Sequence, residues 1–142
     1  MEVLNKNIYK WPKELEEGRK NKELIFLPEA DNLELVIGQK NVYAFSVIYS
    51  SNEMTIGKMT LPVNRYSELE IHEGDEAIYV LKGRLLVNIY SDEENTNPNL
   101  VIRSIYEINK NEKMLIPKNY KHIYKNLDEE NVEAIIVVGP KL

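Results

Sequence analysis

Residues 70–83 read EIHEGDEAIYVLKG, in which side chains that can bind a metal ion lead into an apolar run. Glu70 and His72 are two positions apart, so on a strand both side chains would point to the same face. The next residues, Glu73-Gly74-Asp75, have the composition of a turn, after which Glu76 opens the apolar run. The stretch therefore predicts a hairpin that returns Glu76 close to His72.

Short apolar segments extend in both directions from this hairpin. From residue 23 onward, apolar and β-branched residues come in runs of roughly four to eight, separated by Gly, Asn, Asp, Pro and Ser. They predict strands near 23–27, 33–38, 42–50, 54–61, 66–72, 76–82, 84–90, 100–106, 112–116, 121–127 and 132–138. No long amphipathic helix separates them, so the strands must pair antiparallel. This predicts an all-β fold, an antiparallel jelly-roll β-barrel.

Two segments depart from the strand pattern. Residues 11–19 predict a short helix, because a proline suits its first turn and glutamates suit its N-terminus. We therefore expect one domain over the whole chain, with residues 1–22 as an N-terminal arm and 54–138 as the barrel core. Residues 91–99, SDEENTNPN, predict a solvated loop between two strands.

The composition restricts the environment and the partners of the chain. The 142 residues contain no cysteine, which excludes disulfides and thiolate ligands and fits the reducing cytoplasm. The net charge is −5 and the 18 Lys and Arg residues form no basic run, which disfavours nucleic acid as a partner. Neither a signal peptide nor a membrane span is visible. We expect a cytoplasmic protein whose partner is a small molecule.

The second histidine of the chain lies on a different predicted hairpin. Residues 116–121, IPKNYK, form a turn that introduces His122 on a new strand. Imidazole and carboxylate groups from two hairpins can converge only if the sheet curls on itself. The strand number already predicts such curling, so the two inferences agree.

These residues resemble the two sequence motifs of the cupin family. The residues that fit are His72, Glu76 and Gly83 in the first motif and Pro117, His122 and Asn126 in the second. The resemblance covers roughly residues 54–138 and implies the cupin barrel.

Three features depart from the family pattern. Glu70 stands where cupins usually have their first histidine, and Asn119 replaces the glycine of the second motif. Asparagine tolerates the left-handed backbone, which makes the second change mild. The glycine that leads each motif is displaced or missing.

The resemblance implies a site for one divalent metal ion. Cupins use these four positions for metal, so the implied ligands are Glu70, His72, Glu76 and His122. Two carboxylates and two imidazoles favour Mn, Fe, Zn or Ni over copper. Glu70 has the alternative role of an acid or base beside the ion. Tyr124 lies two residues beyond His122 on the same face and is the second catalytic candidate.

The resemblance leaves several functions open, because cupins carry out many reactions. The first is a metal-dependent isomerase or epimerase of sugars or sugar acids, in which the ion polarises a carbonyl while Glu70 or a tyrosine moves a proton. The second is a non-haem Fe(II) dioxygenase, and the third is a binding module without catalysis. Cupins commonly dimerise, so a homodimer is expected.

Overall fold

The computed structural model describes residues 10–28, 31–90 and 101–140. It contains one short helix near the N-terminus and ten strands in the described residues. These are α1 (Lys13–Asn21), β1 (Leu33–Ile37), β2 (Tyr43–Ser50), β3 (Thr55–Leu61), β4 (Arg65–Tyr66), β5 (Asp75–Lys82), β6 (Leu85–Tyr90), β7 (Ile102–Ile108), β8 (Lys113–Ile116), β9 (His122–Asn126) and β10 (Val132–Gly139). The predicted all-β class with a short N-terminal helix is confirmed.

The strands form two antiparallel sheets. The larger sheet has the order β1-β2-β3-β10-β5-β8, and the smaller one has the order β4-β9-β6-β7. Strands that are distant in sequence are therefore neighbours, as in a jelly roll. β1 and β2 belong to the larger sheet, which thus begins before the predicted core at residue 54.

The two sheets pack face to face around one apolar core. β10 alternates buried and half-buried side chains along its whole length, and its buried face includes Ala134 and Ile136. Val87 and Tyr124 of the smaller sheet belong to the same core. Removing these side chains from water stabilises the fold by about 25 cal/mol per Å² of apolar surface.

Gly83 shows why the first motif needs its last glycine. This residue joins β5 to β6 with a φ of 80°, a backbone conformation that glycine adopts without strain. A Cβ atom at this position would lie 2.9 Å from the carbonyl oxygen of Asn131. The tight connection between the two strands therefore depends on glycine.

Two of the predicted strands are wrong. Residues 23–27 have no regular structure, and Leu24 and Phe26 are exposed, because this apolar run has no strand beside it to pair with. In the segment 66–72, only the short strand β4 forms, and Glu70 then makes one isolated bridge. Glu70 and His72 therefore lie on irregular backbone rather than on a strand.

The N-terminal helix is close to its predicted position. It was expected over residues 11–19 and begins and ends two residues later. Trp11, which precedes it, exchanges backbone hydrogen bonds of 2.9 and 2.7 Å with Ser50 at the end of β2. The predicted loop at 91–99 lies outside the described residues. In the part of the chain that is described, no helix is long and apolar enough to cross a membrane.

Candidate metal centre

The structure brings together the four ligands implied by the sequence, Glu70, His72, Glu76 and His122. Glu76 lies near the start of β5 and His122 opens β9, so the two sheets each contribute one residue. Both side chains are buried. Glu70 and His72 precede β5 and keep 12% and 15% of their side-chain surface exposed. The cluster is thus closed on the core side and accessible on one other side.

Backbone hydrogen bonds hold the irregular ligand segment in place. Glu70 and His122 exchange two of them, of 2.9 and 3.0 Å. The N–H of Asn119 donates a third, of 2.9 Å, to the carbonyl of His72. Asn119 has a φ of 67°, the left-handed conformation that made asparagine acceptable in place of glycine.

Glu68 anchors the same segment to the turn between β1 and β2. Its Oε1 accepts three backbone hydrogen bonds, of 2.8, 2.7 and 3.3 Å, from Gln39, Lys40 and Asn41. These bonds lower the pKa of the Glu68 carboxyl. Glu68 was not identified from the sequence, because its partners lie in another part of the chain.

We expect Glu68→Ala to weaken metal binding by about tenfold, because residues that orient metal ligands typically contribute that much. Glu68→Gln keeps an acceptor oxygen and should recover most of the affinity. Zinc affinity measured by competition with a chelator checks both, with the exposed Glu129→Ala as the control. Equal affinities in the wild type and Glu68→Ala would contradict this role.

The ligand atoms are spaced as they would be around one ion. The Nε2 atom of His122 lies 3.0 Å from Oε2 of Glu76 and 3.5 Å from Oε2 of Glu70. For Nε2 of His72 the corresponding distances are 3.4 and 3.5 Å. Neighbouring ligands with bonds of about 2.1 Å are about 3.0 Å apart in octahedral geometry and about 3.4 Å apart in tetrahedral geometry. The separations therefore fit a single cation.

In each glutamate of the cluster, Oε2 faces the histidines and Oε1 accepts a hydrogen bond from a tyrosine hydroxyl. Tyr43 donates a 2.5 Å hydrogen bond to Oε1 of Glu70, and Tyr124 donates to Oε1 of Glu76. Each bond turns Oε2 of its glutamate toward the histidines, as outer hydrogen bonds do for metal ligands. The catalytic role expected for Tyr124 stays a prediction. The contact of Tyr43 was missed, although the residue is buried at the start of a predicted strand.

Two buried atoms of the cluster lack a hydrogen bond, Oε2 of Glu76 and Nε2 of His122. A buried polar atom without a partner costs about 1–3 kcal/mol, and more when it is charged. The Nδ1 atom of His122 lies 2.9 Å from the carbonyl oxygen of Tyr120. With the proton on Nδ1, Nε2 carries the lone pair that a metal requires. The residues present therefore fit a divalent cation.

Without a metal, the charges within the cluster shift the pKa values of its members. Burial opposes the ionisation of Glu70, but the imidazoles of His122 and His72 at 3.5 Å and the hydrogen bond from Tyr43 lower its pKa to about 2. Burial also opposes the charged form of His122, but the negative charges of Glu76 and Glu70, whose Oε2 atoms lie 3.0 and 3.5 Å from Nε2, raise its pKa to about 10. Burial raises the pKa of Tyr124 well above its ordinary value. A proton on His122 thus compensates one of the two carboxylate charges, and a divalent cation would replace that proton.

The fold and the cluster define a jelly-roll protein with a candidate cation site. Residues 57–138 match the cupin domain family, and because this is more than half of the chain, the chain belongs to that family. The confirmed family explains why these four positions come together. No curated protein matches the chain.

Several solved structures share the fold. A protein from Bacillus halodurans is 21% identical over 69% of this chain and 71% of its own, with a TM-score of 0.57. An RmlC-like cupin from Shewanella frigidimarina is 12% identical over 79% and 91%, with a TM-score of 0.59. An oxalate oxidase in complex with the substrate analogue glycolate is 19% identical over 63% and 43%, with a TM-score of 0.53. At these identities the likeness shows the fold alone.

Proposed function

We propose that this chain is a metal-dependent enzyme that isomerises or epimerises a small hydroxylated or carbonyl-bearing molecule, such as a sugar or sugar acid. The observation that carries the proposal is the cluster of two glutamates and two histidines, buried on one side and partly exposed on the other. Such a ligand set favours Mn, Fe, Zn or Ni. The bound ion would act as a Lewis acid toward a carbonyl or hydroxyl oxygen.

Glu70 is the residue we propose to move the proton of the substrate through Oε2, in place of binding the ion, which His72, Glu76 and His122 would then hold. It lies on the exposed side of the cluster, with 12% of its side-chain surface exposed. Tyr43 holds one of its oxygens, so the carboxylate keeps one orientation. Tyr124 donates to Glu76, which makes it a positioning residue for that ligand in this proposal. A carboxylate that can accept a proton beside a polarised carbonyl is the minimum that isomerisation requires.

A dioxygenase is the second candidate, because the cluster also contains two histidines and one fully buried carboxylate. His72, His122 and Glu76 together form the ligand type of non-haem Fe(II) oxygenases. A small-molecule binding module without catalysis is the third reading.

One experiment separates the three functions. Protein loaded singly with Mn, Fe(II), Zn or Ni is incubated with a panel of sugars and sugar acids in D₂O. Deuterium uptake next to a carbonyl is followed by NMR, while an electrode records dissolved oxygen. Uptake without oxygen consumption, absent in His72→Ala, supports the isomerase. Oxygen consumption would favour the dioxygenase, and ligand binding without either reaction would favour the binding module.

We also propose that the protein is a homodimer. The outer face of the larger sheet exposes apolar side chains on neighbouring strands, among them Tyr79 and Leu81 of β5 and Leu115 of β8. A shallow cavity of about 320 Å³ lies on the same face. Exposed apolar patches of this kind are typical of interfaces between protein chains.

Light scattering after size exclusion should give twice the chain mass of 16.6 kDa. Leu115→Asp should give the monomer mass, because a charge would be buried in the interface without a partner. Leu127→Asp introduces the same charge at a similarly exposed leucine of another region and should leave the dimer intact. A wild-type mass of 16.6 kDa would contradict the proposal.

A further inference from the structure

A cleft of about 210 Å³ lies where the two sheets end next to each other. β7 is the last strand of the smaller sheet and β8 the last strand of the larger one. The cleft is lined by both of these strands, by β6 and by the turn after β8. Its lining includes Ile89, Arg103, Ser104, Tyr106, Ile116 and Tyr120.

This cleft adjoins the candidate metal centre. Ile116 pairs directly with Glu76, and Ile89 pairs directly with His122. Cross-strand partners point to the same face of a sheet, so both isoleucines lie on the face that carries the ligands. Tyr120 also lines the cleft, and its carbonyl oxygen contacts Nδ1 of His122. A molecule in the cleft would therefore lie beside the cluster.

A β-bulge places Arg103 at this cleft. Ile89 pairs with Ser104 and Tyr90 pairs with Ile102, so Arg103 is the extra residue of β7. Bulges re-aim side chains and are common next to active sites. In the stretches 10–28, 31–90 and 101–140, no hydrogen bond or ion pair involves the Arg103 side chain. The cleft thus contains a cation that these residues do not neutralise.

We propose that Arg103 binds an anionic group, a carboxylate or a phosphate, at the end of the substrate that lies away from the metal centre. This inference rests on the proposed function and names its substrate class. A guanidinium forms two parallel hydrogen bonds with either anion. Ser104 and Tyr106 line the same cleft, and each has a hydroxyl group that can donate a hydrogen bond.

The pairing across the smaller sheet gives the scale of the separation between the cleft and the metal centre. His122, Ile89 and Ser104 form one row across β9, β6 and β7. Adjacent strands are about 4.8 Å apart, so the backbones of Ser104 and His122 are about 10 Å apart.

Calorimetric titration of the metal-loaded protein tests the proposal with three probes, D-gluconate, D-glucose 6-phosphate and neutral D-glucose. We expect at least one anion to bind at least tenfold more tightly than glucose. Arg103→Gln should lower that affinity by at least tenfold, while glucose binding and the metal content per chain stay unchanged. Arg103→Lys should have an intermediate anion affinity, since lysine keeps the positive charge but cannot form two parallel hydrogen bonds. Arg84→Gln removes a cation that is paired with Glu107 outside the cleft and serves as the control.

The other possible results of these titrations would overturn the proposal for Arg103 or contradict the proposed function. Equal anion affinities in the wild type and Arg103→Gln would overturn the proposal, because the metal alone would then bind the anion. A lower melting temperature with unchanged affinities would make Arg103 a structural residue and overturn it as well. Failure of both anions to bind the metal-loaded protein also overturns it. A chain that takes up no metal contradicts the proposed function instead, and the same titrations on the metal-free protein then decide about Arg103.

Discussion

Protein purified without a chelator or nickel resin should contain about one divalent metal ion per chain, and His122→Ala should contain almost none. His122 is buried, and its Nε2 atom lies within 3.5 Å of the facing oxygens of both glutamates. Its removal deletes one of the implied ligands and leaves Glu70 and Glu76 repelling each other. Elemental analysis of the purified proteins measures the metal content.

The His122→Ala result needs a second variant, because the mutation also destabilises the fold. Removing one partner from a buried ion pair typically costs about 3–5 kcal/mol. His72→Ala removes a more exposed ligand and should lose metal while keeping the circular dichroism of the wild type. Glu130→Gln neutralises an exposed carboxylate outside the cluster and is the control. Full metal content in both histidine variants would rule out the site.

The apparent affinity for zinc should rise about tenfold for each pH unit between about pH 6 and 9. His122 has a pKa of about 10 without metal, so the ion must displace a proton from it throughout this range. Glu70 has a pKa of about 2 and is ionised throughout. Chelator competition at several pH values gives the slope. Titrations in buffers of different ionisation enthalpy should show at least one proton released per ion, and no release would contradict the assignment.

The same pKa shifts predict how the stability of the metal-free protein depends on pH. The raised pKa of His122 stabilises the fold fully below its unfolded value of 6.5, and this contribution is lost as the pH rises toward 10. The lowered pKa of Glu70 stabilises the fold above 4.5, and this contribution is lost as the pH falls toward 2. Thermal unfolding should therefore show a lower melting temperature at about pH 9 than at about pH 6. Metal should remove that difference, because it replaces the proton.

The sequence predicted those parts of the fold that depend on local patterns. The turn at Gly74 and the apolar run after Glu76 can be recognised from about a dozen consecutive residues, and the structure has β5 there. The same reading failed at residues 23–27, because the apolar character of a run does not tell whether another strand lies beside it. In the candidate site, the motif spacing identified all four members of the cluster.

Local sequence patterns could not predict how Glu70 and His72 are oriented toward the other two residues of the cluster. The two residues were expected to share a face of a strand, yet they lie on irregular backbone. Their directions are set by hydrogen bonds from Asn119 and His122 and by the anchor at Glu68, none of which is encoded in the spacing of the ligands. The bulge at Arg103 depends in the same way on strand register.

The division of the ligands between the two sheets has a mechanical consequence. Glu76 belongs to the larger sheet and His122 to the smaller one, so one ion bound by both would join the two layers as a covalent cross-link would. This chain contains no cysteine and cannot form a disulfide for that purpose. Its two layers would instead be joined by a coordination link that depends on metal supply and on acidity.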